Sequence, residues 1–381
     1  MNFGLTSEQL AMRDHVKDLL DKTCSLEYVA QCDEKGQPPR EAFKALAEHG
    51  WLGLIAPEEY GGVNGTPTDL AVLLEETGHH FEELGLWLFR SYTFGCYAIL
   101  KNGTEAQKKF FLPKTVSGEF TYAFALTEPD SGSDAAALRT RAEIDGDYFV
   151  INGRKQFISG FDIADYALVA LRTSQQAKKQ MGISTLLIDT KTPGIEAKRI
   201  ATLGQHSIGT TEVTFTNVRV PRSSLLGELD HGWAICEDTL RYERLCLSAA
   251  RIGAARQAFE FALDYAKNRT QFGKPIGSFQ AIAHKFADMK VMLDTAQTMV
   301  LRYAWLMEHG QAERADTAVL KYLVGESYKT ISDQCLQVLG GYGYCNEYPM
   351  QRFFRDSRLA TIGGGTSEIQ KNIIAGSLGL R

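Results

Sequence analysis

The order of its periodic segments constrains the fold of this chain more than any other feature. Helical patterns fill the first third, a strand pattern begins near residue 121, and long helical patterns return at about 231–267, 277–308, 312–338 and 366–378. A doubly wound sheet requires strands and helices that alternate, so this order excludes that fold. The sequence therefore predicts an α+β chain with a helical segment at 1–120, a β segment at 121–226 and a helical bundle at 227–381.

Local signals mark several element ends. Residues 6–9, Thr-Ser-Glu-Gln, form a capping box that opens a first helix. Another helix is expected to begin at Thr104 and to end before Pro113, which cannot donate a backbone hydrogen bond. In the β segment, Asp145-Gly146 and Asn152-Gly153 are both typical hairpin turns.

Composition limits the class of protein. The chain has 381 residues, of which 44% are hydrophobic and 23% charged, and this is enough to bury a large core. The net charge of −5 argues against nucleic-acid binding, which needs a basic excess. The start of the chain lacks a basic segment followed by an apolar one, and no apolar run approaches the roughly 18 residues of a membrane span. We expect neither secretion nor membrane insertion.

The cysteines and histidines indicate no metal site. Seven cysteines form no CxxC pair, which is typical of free thiols in a reducing cytoplasm and implies no structural zinc. His79-His80 has no third ligand at a useful spacing, so we expect this pair to lie at the surface.

Glu243 lies on the apolar face of a predicted long helix. Leu240, Leu247 and Ala250 are three before, four after and seven after it, so they share its face. A buried carboxylate without a partner acquires a raised pKa, and a pKa near neutrality suits a base that removes protons. A buried arginine such as Arg244 would instead satisfy this carboxylate, and spacing alone leaves both interpretations open.

Two glycine clusters are candidate ligand-binding loops. Residues 340–343, Gly-Gly-Tyr-Gly, follow a helical pattern, so they lack the strand that precedes a dinucleotide-binding loop. Gly363, Gly364 and Gly365 precede Thr366, which can cap the next helix, and open amides at a helix start can bind phosphate. A simple linker explains the second cluster equally well.

Five motifs together resemble the acyl-CoA dehydrogenase flavoprotein family over nearly the whole chain. They are LTEPDSGSD at 126–134, INGRKQFIS at 151–159, NRTQFGKPI at 268–276, QVLGG at 337–341, and FRD at 354–356 running into GTSEIQ at 365–370. The resemblance implies a helical N-terminal domain, a middle β domain and a C-terminal four-helix domain, assembled as a homotetramer. It also implies FAD as the cofactor.

The same resemblance assigns cofactor-binding positions. Thr127 and Ser133 would offer hydroxyls and amides to the flavin, and Phe157 and Ser159 would lie against its ring system, where the family commonly has Trp and Thr. Thr366 and Glu368 would belong to the same site from its other side. Four positions would reach the FAD of a neighbouring subunit, with the charge of the first directed at the pyrophosphate: Arg269, Phe272, Gln337 and Gly341.

The chain departs from the commonest family pattern at the catalytic position. Many members carry a glutamate base in a Tyr-Glu-Gly-Thr sequence, and Gly364 stands at that glutamate here. A branch that includes isovaleryl-CoA enzymes carries the base in a Glu-Arg-Leu context, matched by residues 243–245. The resemblance thus implies that Glu243 removes the α-proton of a thioester, that the Gly364 amide polarises its carbonyl, and that the β-hydrogen passes as hydride to flavin N5.

The substrate is indicated by similarity alone. Residues 243–250 and 280–290 look most like those of oxidases that act on carrier-protein-tethered thioesters, including prolyl-carrier-protein oxidases of secondary metabolism. An acyl-CoA dehydrogenase for short or branched acyl groups would share every motif, and a non-catalytic flavin-bearing relative would also explain Gly364. The electron acceptor expected from the resemblance is oxygen or an electron-transferring flavoprotein.

Overall fold

The computed structural model describes residues 4–380, so residues 1–3 and 381, at the outer ends of the first and third predicted segments, lie outside the described residues. Its first part is helical. Thr6 accepts from the Gln9 amide and donates its own amide to the Gln9 side chain, which completes the expected capping box. The helices are α1 (Ser7–Thr23), α2 (Leu26–Lys35), α3 (Arg40–Glu48), α4 (Pro67–His80), α5 (Glu82–Arg90), α6 (Ala98–Asn102) and α7 (Glu105–Val116).

The helix expected to stop at Pro113 does not stop there. Helix α7 continues through this proline to Val116, so the predicted end is wrong. A proline inside a helix frees the carbonyl four residues earlier, which here belongs to Lys109. Pro113 and Lys109 both lie on the exposed face of α7, where water can pair with that carbonyl.

The middle of the chain forms one eight-stranded mixed sheet. The strands are β1 (Tyr122–Ala125), β2 (Arg141–Asp145), β3 (Tyr148–Ser159), β4 (Tyr166–Arg172), β5 (Ile183–Asp189), β6 (Ile195–Ile200), β7 (Thr210–Pro221) and β8 (Leu225–Leu226). Their order in the sheet is β6-β7-β3-β2-β4-β5-β8, and β1 pairs in parallel with β4.

Only one of the two expected hairpin turns exists. Asp145 and Tyr148 pair across the turn at Gly146, as predicted. Asn152-Gly153 is instead part of the continuous strand β3, at a register shift against β7. Gly153 has φ +150°, and a Cβ there would lie 2.6 Å from Thr140 Cα, so the glycine permits close contact between strands and not a turn.

The C-terminal part returns to helices. They are α8 (Gly232–Asn268), α9 (Gln280–Glu308), α10 (Arg314–Leu339), α11 (Met350–Ser357) and α12 (Ser367–Ser377), and a small ribbon of β9 (Thr270–Gln271) and β10 (Lys274–Pro275) follows α8. The long C-terminal helices begin and end within three residues of the predicted positions. The helical residues of the first and last parts share one apolar core.

Helices α4 and α8 touch through their backbones. A methyl group on Gly253 of α8 would overlap the Glu75 carbonyl oxygen, and one on Gly78 of α4 would overlap the Ala250 carbonyl oxygen. These two glycines allow the main chains to approach more closely than side chains would permit. The contact fixes the height and rotation of α8 in the core, and it does so within ten residues of Glu243.

Candidate functional site

Glu243 is buried near the middle of the first half of α8. The helical pattern predicts that it faces the interior, and its exposed fraction is 8%. Leu247 and Ala250, which share its face, are buried as well. Its Oε1 lies 3.9 Å from the position that a Cβ on Gly364 would occupy, so the carboxylate and the Gly364 turn face each other.

The carboxylate of Glu243 lacks a hydrogen-bond partner for its buried Oε2. Arg244, the alternative partner for this carboxylate, makes no hydrogen bond to it and instead donates from Nε to the Gly364 carbonyl at 3.3 Å. Burial raises the pKa of Glu243 to about 7, and the charges of Arg244, Arg251 and Arg90 oppose that rise. A carboxylate in this state is half ionised near neutral pH and can accept a proton.

The Gly364 turn is held through its carbonyl groups. Gly364 and Gly365 both have positive φ, +67° and +91°. Lys321 Nζ donates to the Gly365 carbonyl at 2.5 Å, and Gln370 Nε2 donates to the same oxygen at 3.0 Å. Sequence reasoning missed Lys321, whose burial and neighbouring arginines lower its pKa to about 7. The Gly364 N–H donates to no described residue, so it is available to a ligand.

Thr127 and Ser133 lie in the loop after β1. Thr127 is half-buried and accepts the Gln156 amide at 2.9 Å through its carbonyl, and Ser133 is exposed. The loop is anchored by a pair that sequence reasoning missed. The fully buried Lys155 donates to Glu128 Oε1 at 2.8 Å and to the Leu126 carbonyl at 2.9 Å.

Phe157 and Ser159 end strand β3 beside that loop. Phe157 is 61% exposed although its ring is large and apolar, and its φ of +58° is rare for a residue with a side chain. A register shift between Lys155 and Ile158 turns its ring out of the strand. An exposed aromatic ring in a strained backbone is typical of a ligand-binding position.

The other positions predicted to bind FAD fall into two places. Arg269, Phe272 and Gly341 line one groove of about 690 Å³ at the far end of α8, where the Arg269 guanidinium lies 5.6 Å from the Tyr342 ring centre. Gln337 is exposed on α10 and precedes Val338, which also lines the groove.

Thr366 and Glu368 start helix α12, directly after the Gly364 turn. Thr366 is the N-cap and accepts the Ile369 amide at 3.3 Å, and Glu368 lies exposed in the first turn. The backbone amide of Glu368 itself lowers the pKa of its carboxyl group, with a smaller effect from the Thr366 hydroxyl. These two residues thus lie on the Glu243 side of the chain.

One continuous helix separates the two places. Arg269 caps α8 26 residues after Glu243, which corresponds to about 39 Å at 1.5 Å per residue. The structure therefore does not bring Arg269, Phe272, Gln337 and Gly341 to the Glu243 site of the same chain.

The residues of the loop and of β3 fit a flavin. Ser131 Oγ is buried without a partner, no atom lies within 4 Å of the Cβ position of Gly132, and the Phe157 ring is exposed. These features provide an unused polar atom, room for close approach and an apolar surface. A planar ring system with polar edges needs this combination.

The expectation that His79-His80 lies at the surface without a third ligand is wrong. His80 is buried, and Glu76 offers a carboxylate oxygen within 4.8 Å of the ring nitrogens of both histidines. Other protein groups contact this cluster: Arg256 Nη2 lies 2.7 Å from Glu76 Oε2, His79 Nε2 lies 2.8 Å from Glu260 Oε2, and His80 Nε2 lies 3.0 Å from Asp21 Oδ1. Among residues 4–380, no helix is long and apolar enough to cross a membrane.

This chain is similar to known proteins over nearly its full length. Models of the acyl-CoA dehydrogenase N-terminal, middle and C-terminal domains match residues 6–119, 123–218 and 230–379. The probable acyl-CoA dehydrogenase YngJ of Bacillus subtilis (strain 168) is 38% identical, covering 99% of this chain and 100% of that protein. A 3-(aryl)acrylate reductase of Clostridium sporogenes is 36% identical, covering 91% and 92%.

Several solved structures have the same fold over the whole chain. Butyryl-CoA dehydrogenase from Megasphaera elsdenii superposes with a TM-score of 0.94 at 32% identity, covering 99% of this chain and 100% of that one. PigA with FAD and proline gives 0.94 at 29% with full coverage of both chains, and the prolyl acyl carrier protein oxidase AnaB gives 0.91 at 28%, covering 99% and 100%. The chain belongs to the acyl-CoA dehydrogenase family, whose members are FAD-dependent acyl-thioester dehydrogenases.

Proposed function

We propose that this protein oxidises an acyl thioester across its α,β-bond with Glu243 as the base. The observation that carries the proposal is the geometry of Glu243, whose buried Oε2 has no partner and whose carboxylate faces the Gly364 turn. Gly364 itself has no side chain that could accept a proton. A purely structural carboxylate would be paired, because an unpaired buried charge is costly.

The chain divides the reaction between two groups. The Gly364 N–H donates to the thioester carbonyl, and Glu243 Oε2 takes the proton that this polarisation makes acidic. Arg244, Lys321 and Gln370 hold the two glycine carbonyls, so the amide is oriented before the substrate arrives. One oriented donor of this kind lowers a barrier by about 2.7–4 kcal/mol. FAD, when bound, supplies the acceptor for the β-hydride at its N5 atom.

The acyl carrier is the finer part of the proposal. We favour a carrier-protein-tethered prolyl or acyl group, supported by the similarity to AnaB and to PigA with proline over essentially the whole chain. A second candidate is a short or branched acyl-CoA. It is supported by relatives of higher identity that are named for acyl-CoA chemistry, such as YngJ.

A panel of thioesters tests these proposals. The purified flavoprotein is mixed anaerobically with prolyl-carrier protein, isovaleryl-CoA and butyryl-CoA, and bleaching of the flavin absorbance is followed. Rapid bleaching by prolyl-carrier protein supports the carrier assignment, and bleaching by acyl-CoA alone replaces it with the second candidate. No bleaching by any thioester would favour a non-catalytic flavin-binding protein.

The electron acceptor can be identified from the reoxidation of the reduced flavin. We propose that the reduced flavin passes its electrons to oxygen or to an electron-transferring flavoprotein. A caffeyl-CoA reductase-Etf complex subunit of Acetobacterium woodii is 34% identical to this chain and supports the second acceptor. Oxygen uptake during turnover, measured with and without an electron-transferring flavoprotein, separates the two.

We propose further that a second copy of the chain completes each FAD site, within a homotetramer. The support is the distance of about 39 Å along α8 between Glu243 and Arg269, which is too far for one cofactor to reach both ends of the same helix. Phe272, beside Arg269, is 93% exposed in the single chain, and a neighbouring molecule would cover it.

We propose a reducing compartment, such as the cytoplasm. All seven cysteines are unpaired in the structure, and six of them are buried. An oxidising compartment would select for disulfides or against free thiols.

Arg269→Ala should weaken FAD binding. The variant loses a charge-assisted contact of about 1.5–3 kcal/mol, which corresponds to a Kd about 10–150-fold higher. FAD content after gel filtration and a fluorescence titration measure the loss. Lys267→Ala is the matched control, because Lys267 is an exposed cation on the same helix that does not line the groove. Undiminished FAD affinity in Arg269→Ala would remove Arg269 from the site.

The rate of flavin reduction should rise with pH and reach half of its maximum near pH 7. Glu243 must be deprotonated to act, and burial raises its pKa to about 7. Below that pH the rate should fall about tenfold per pH unit. Single-turnover reduction between pH 5.5 and 9 measures the profile, and a rate independent of pH would contradict it.

Lys321 and Glu83 also have a pKa of about 7, so the pH profile needs controls for both groups. Lys321→Gln keeps a donor for the Gly365 carbonyl, so a midpoint that persists in this variant belongs to Glu243. Burial also raises the pKa of Glu83 to about 7. The folded protein then binds more protons than the unfolded chain between about pH 4.5 and 7, so stability falls as pH rises through this window. As the pH rises towards 7, the rate of flavin reduction should therefore increase while the free energy of unfolding decreases.

A further inference from the structure

Arg90 is a buried cation near the proposed base, and its guanidinium carbon lies 5.9 Å from the centre of the Phe89 ring. Its side chain is 4% exposed at the end of α5, and it makes no hydrogen bond or ion pair with any described residue. Desolvation lowers the pKa of Arg90 to about 10, against the charges of Glu83 and Glu243. Neither sequence motif nor resemblance points to this residue.

The surroundings of Arg90 place it at the Glu243 site. A methyl group on Gly160, the residue after Ser159, would overlap Arg90 Nη1, so the guanidinium packs against the end of β3. The π-helical turn Ser91–Tyr97 follows directly, and its Thr93 hydroxyl donates to Cys246 Sγ at 3.8 Å, three residues after Glu243. Turns of this type inside helices are frequent at functional sites.

Arg90, Ser91 and Glu243 each carry an unpaired polar atom. Arg90 Nη1, Ser91 Oγ and Glu243 Oε2 are all buried, and none has a hydrogen-bond partner. The two opposite charges influence each other, but they form no ion pair. Buried polar groups in folded proteins are nearly always paired, so the unpaired Arg90 guanidinium near Glu243 indicates a polar group of a ligand as its partner.

We propose that Arg90 donates a hydrogen bond to a lone-pair acceptor on the acyl group of the substrate. The proposal rests on the function proposed above, because a base reaches an α-carbon only at about 3–3.5 Å, which places the neighbouring acyl atoms close to the Glu243 carboxylate. The acceptor is an oxygen or nitrogen close to the reacting carbons. A neutral prolyl nitrogen and the carboxylate of a dicarboxylic acyl group both provide one, whereas a hydrocarbon chain leaves the guanidinium unpaired.

Substrate preference in wild type and Arg90→Met tests this role. Prolyl-carrier protein, glutaryl-CoA and butyryl-CoA are compared by anaerobic flavin reduction, and the first two distinguish the two sources of the acceptor. Sites built to bond a polar substrate group discriminate against its absence by up to about 10⁴-fold. We expect Arg90→Met to lose at least about 100-fold on the preferred acceptor substrate and to leave butyryl-CoA unchanged or faster. Arg90→Lys, which keeps the charge without the planar fork, should recover part of the loss.

Two readouts separate this role from a structural one. Arg90→Met should retain FAD and melt at the wild-type temperature or above, because it removes a buried charge that has no partner. Arg256→Met is the matched control, since Arg256 pairs with Glu76 at 2.7 Å, and it should melt at a lower temperature. Loss of FAD in Arg90→Met would identify the flavin as the partner and overturn the proposal. Equal loss on butyryl-CoA, or a lowered melting temperature with unchanged preference, would overturn it too.

The failure of the two proposals would look different. If no thioester bleaches the wild-type flavin, the proposed function is wrong. If thioesters bleach it and Arg90→Met keeps the wild-type preference among them, the proposed function stands and the role of Arg90 is wrong.

Discussion

Glu243→Gln should bind FAD as the wild type does and reduce it about 10⁴-fold more slowly with the best thioester, the upper end of what a positioned base contributes. Glutamine keeps the shape of the side chain but cannot accept the α-proton. Stopped-flow measurement of anaerobic flavin reduction gives the ratio, and the absorbance of the bound flavin verifies the cofactor.

Glu237→Gln is the matched control for this variant. Glu237 lies six residues earlier on the same helix and is partly exposed, with Arg314 at 4.0 Å. It should reduce flavin at the wild-type rate. A wild-type rate in Glu243→Gln, or an equal loss in both variants, would reject Glu243 as the base.

Gly253→Ala should destabilise the protein by about 3 kcal/mol, at the upper end of overpacking costs. The added methyl group overlaps the Glu75 carbonyl oxygen, and neither backbone can yield without separating α4 from α8. Chemical denaturation measures the change in the free energy of unfolding. Because the shift also moves Glu243, we expect slower flavin reduction in the molecules that remain folded.

Gly376→Ala provides the control for that substitution. Gly376 lies inside α12, and nothing lies within 4 Å of its Cβ position. Alanine there should be neutral or stabilising by up to about 1 kcal/mol, because glycine is the poorer helix former. Similar effects at both glycines would show that α4 and α8 are not in backbone contact.

The architecture was predictable from the sequence because period and capping are local properties. The capping box at Thr6 and the positions of α8, α9, α10 and α12 follow from patterns within a few turns, whereas the short helix α11 was not predicted. The two errors have a common origin. Pro113 in α7 and Asn152-Gly153 in β3 are strong local breakers that the surrounding structure overrides, the first by exposure and the second by a close strand contact.

The candidate site was predictable only in part. Burial of Glu243 follows from its helical face, but the absence of a partner depends on Arg244 reaching a carbonyl 120 residues away along the chain. Arg90, Lys155 and Lys321 carry no local signal. Their burial arises from helices and strands that meet in the folded chain, so periodicity cannot distinguish them from surface cations.

The length of α8 has a genetic consequence. Glu243 lies in the first half of this helix and Arg269 caps its end, so in the proposed homotetramer a subunit that works on its own substrate would hold the cofactor of a neighbour with the same helix. A chain defective at position 243 still offers Arg269, and a chain defective at position 269 still offers Glu243. Two inactive alleles, one altered at position 243 and the other at position 269, would then form some intact sites when their subunits assemble together. Mixed assemblies should therefore recover part of the activity that each variant lacks alone.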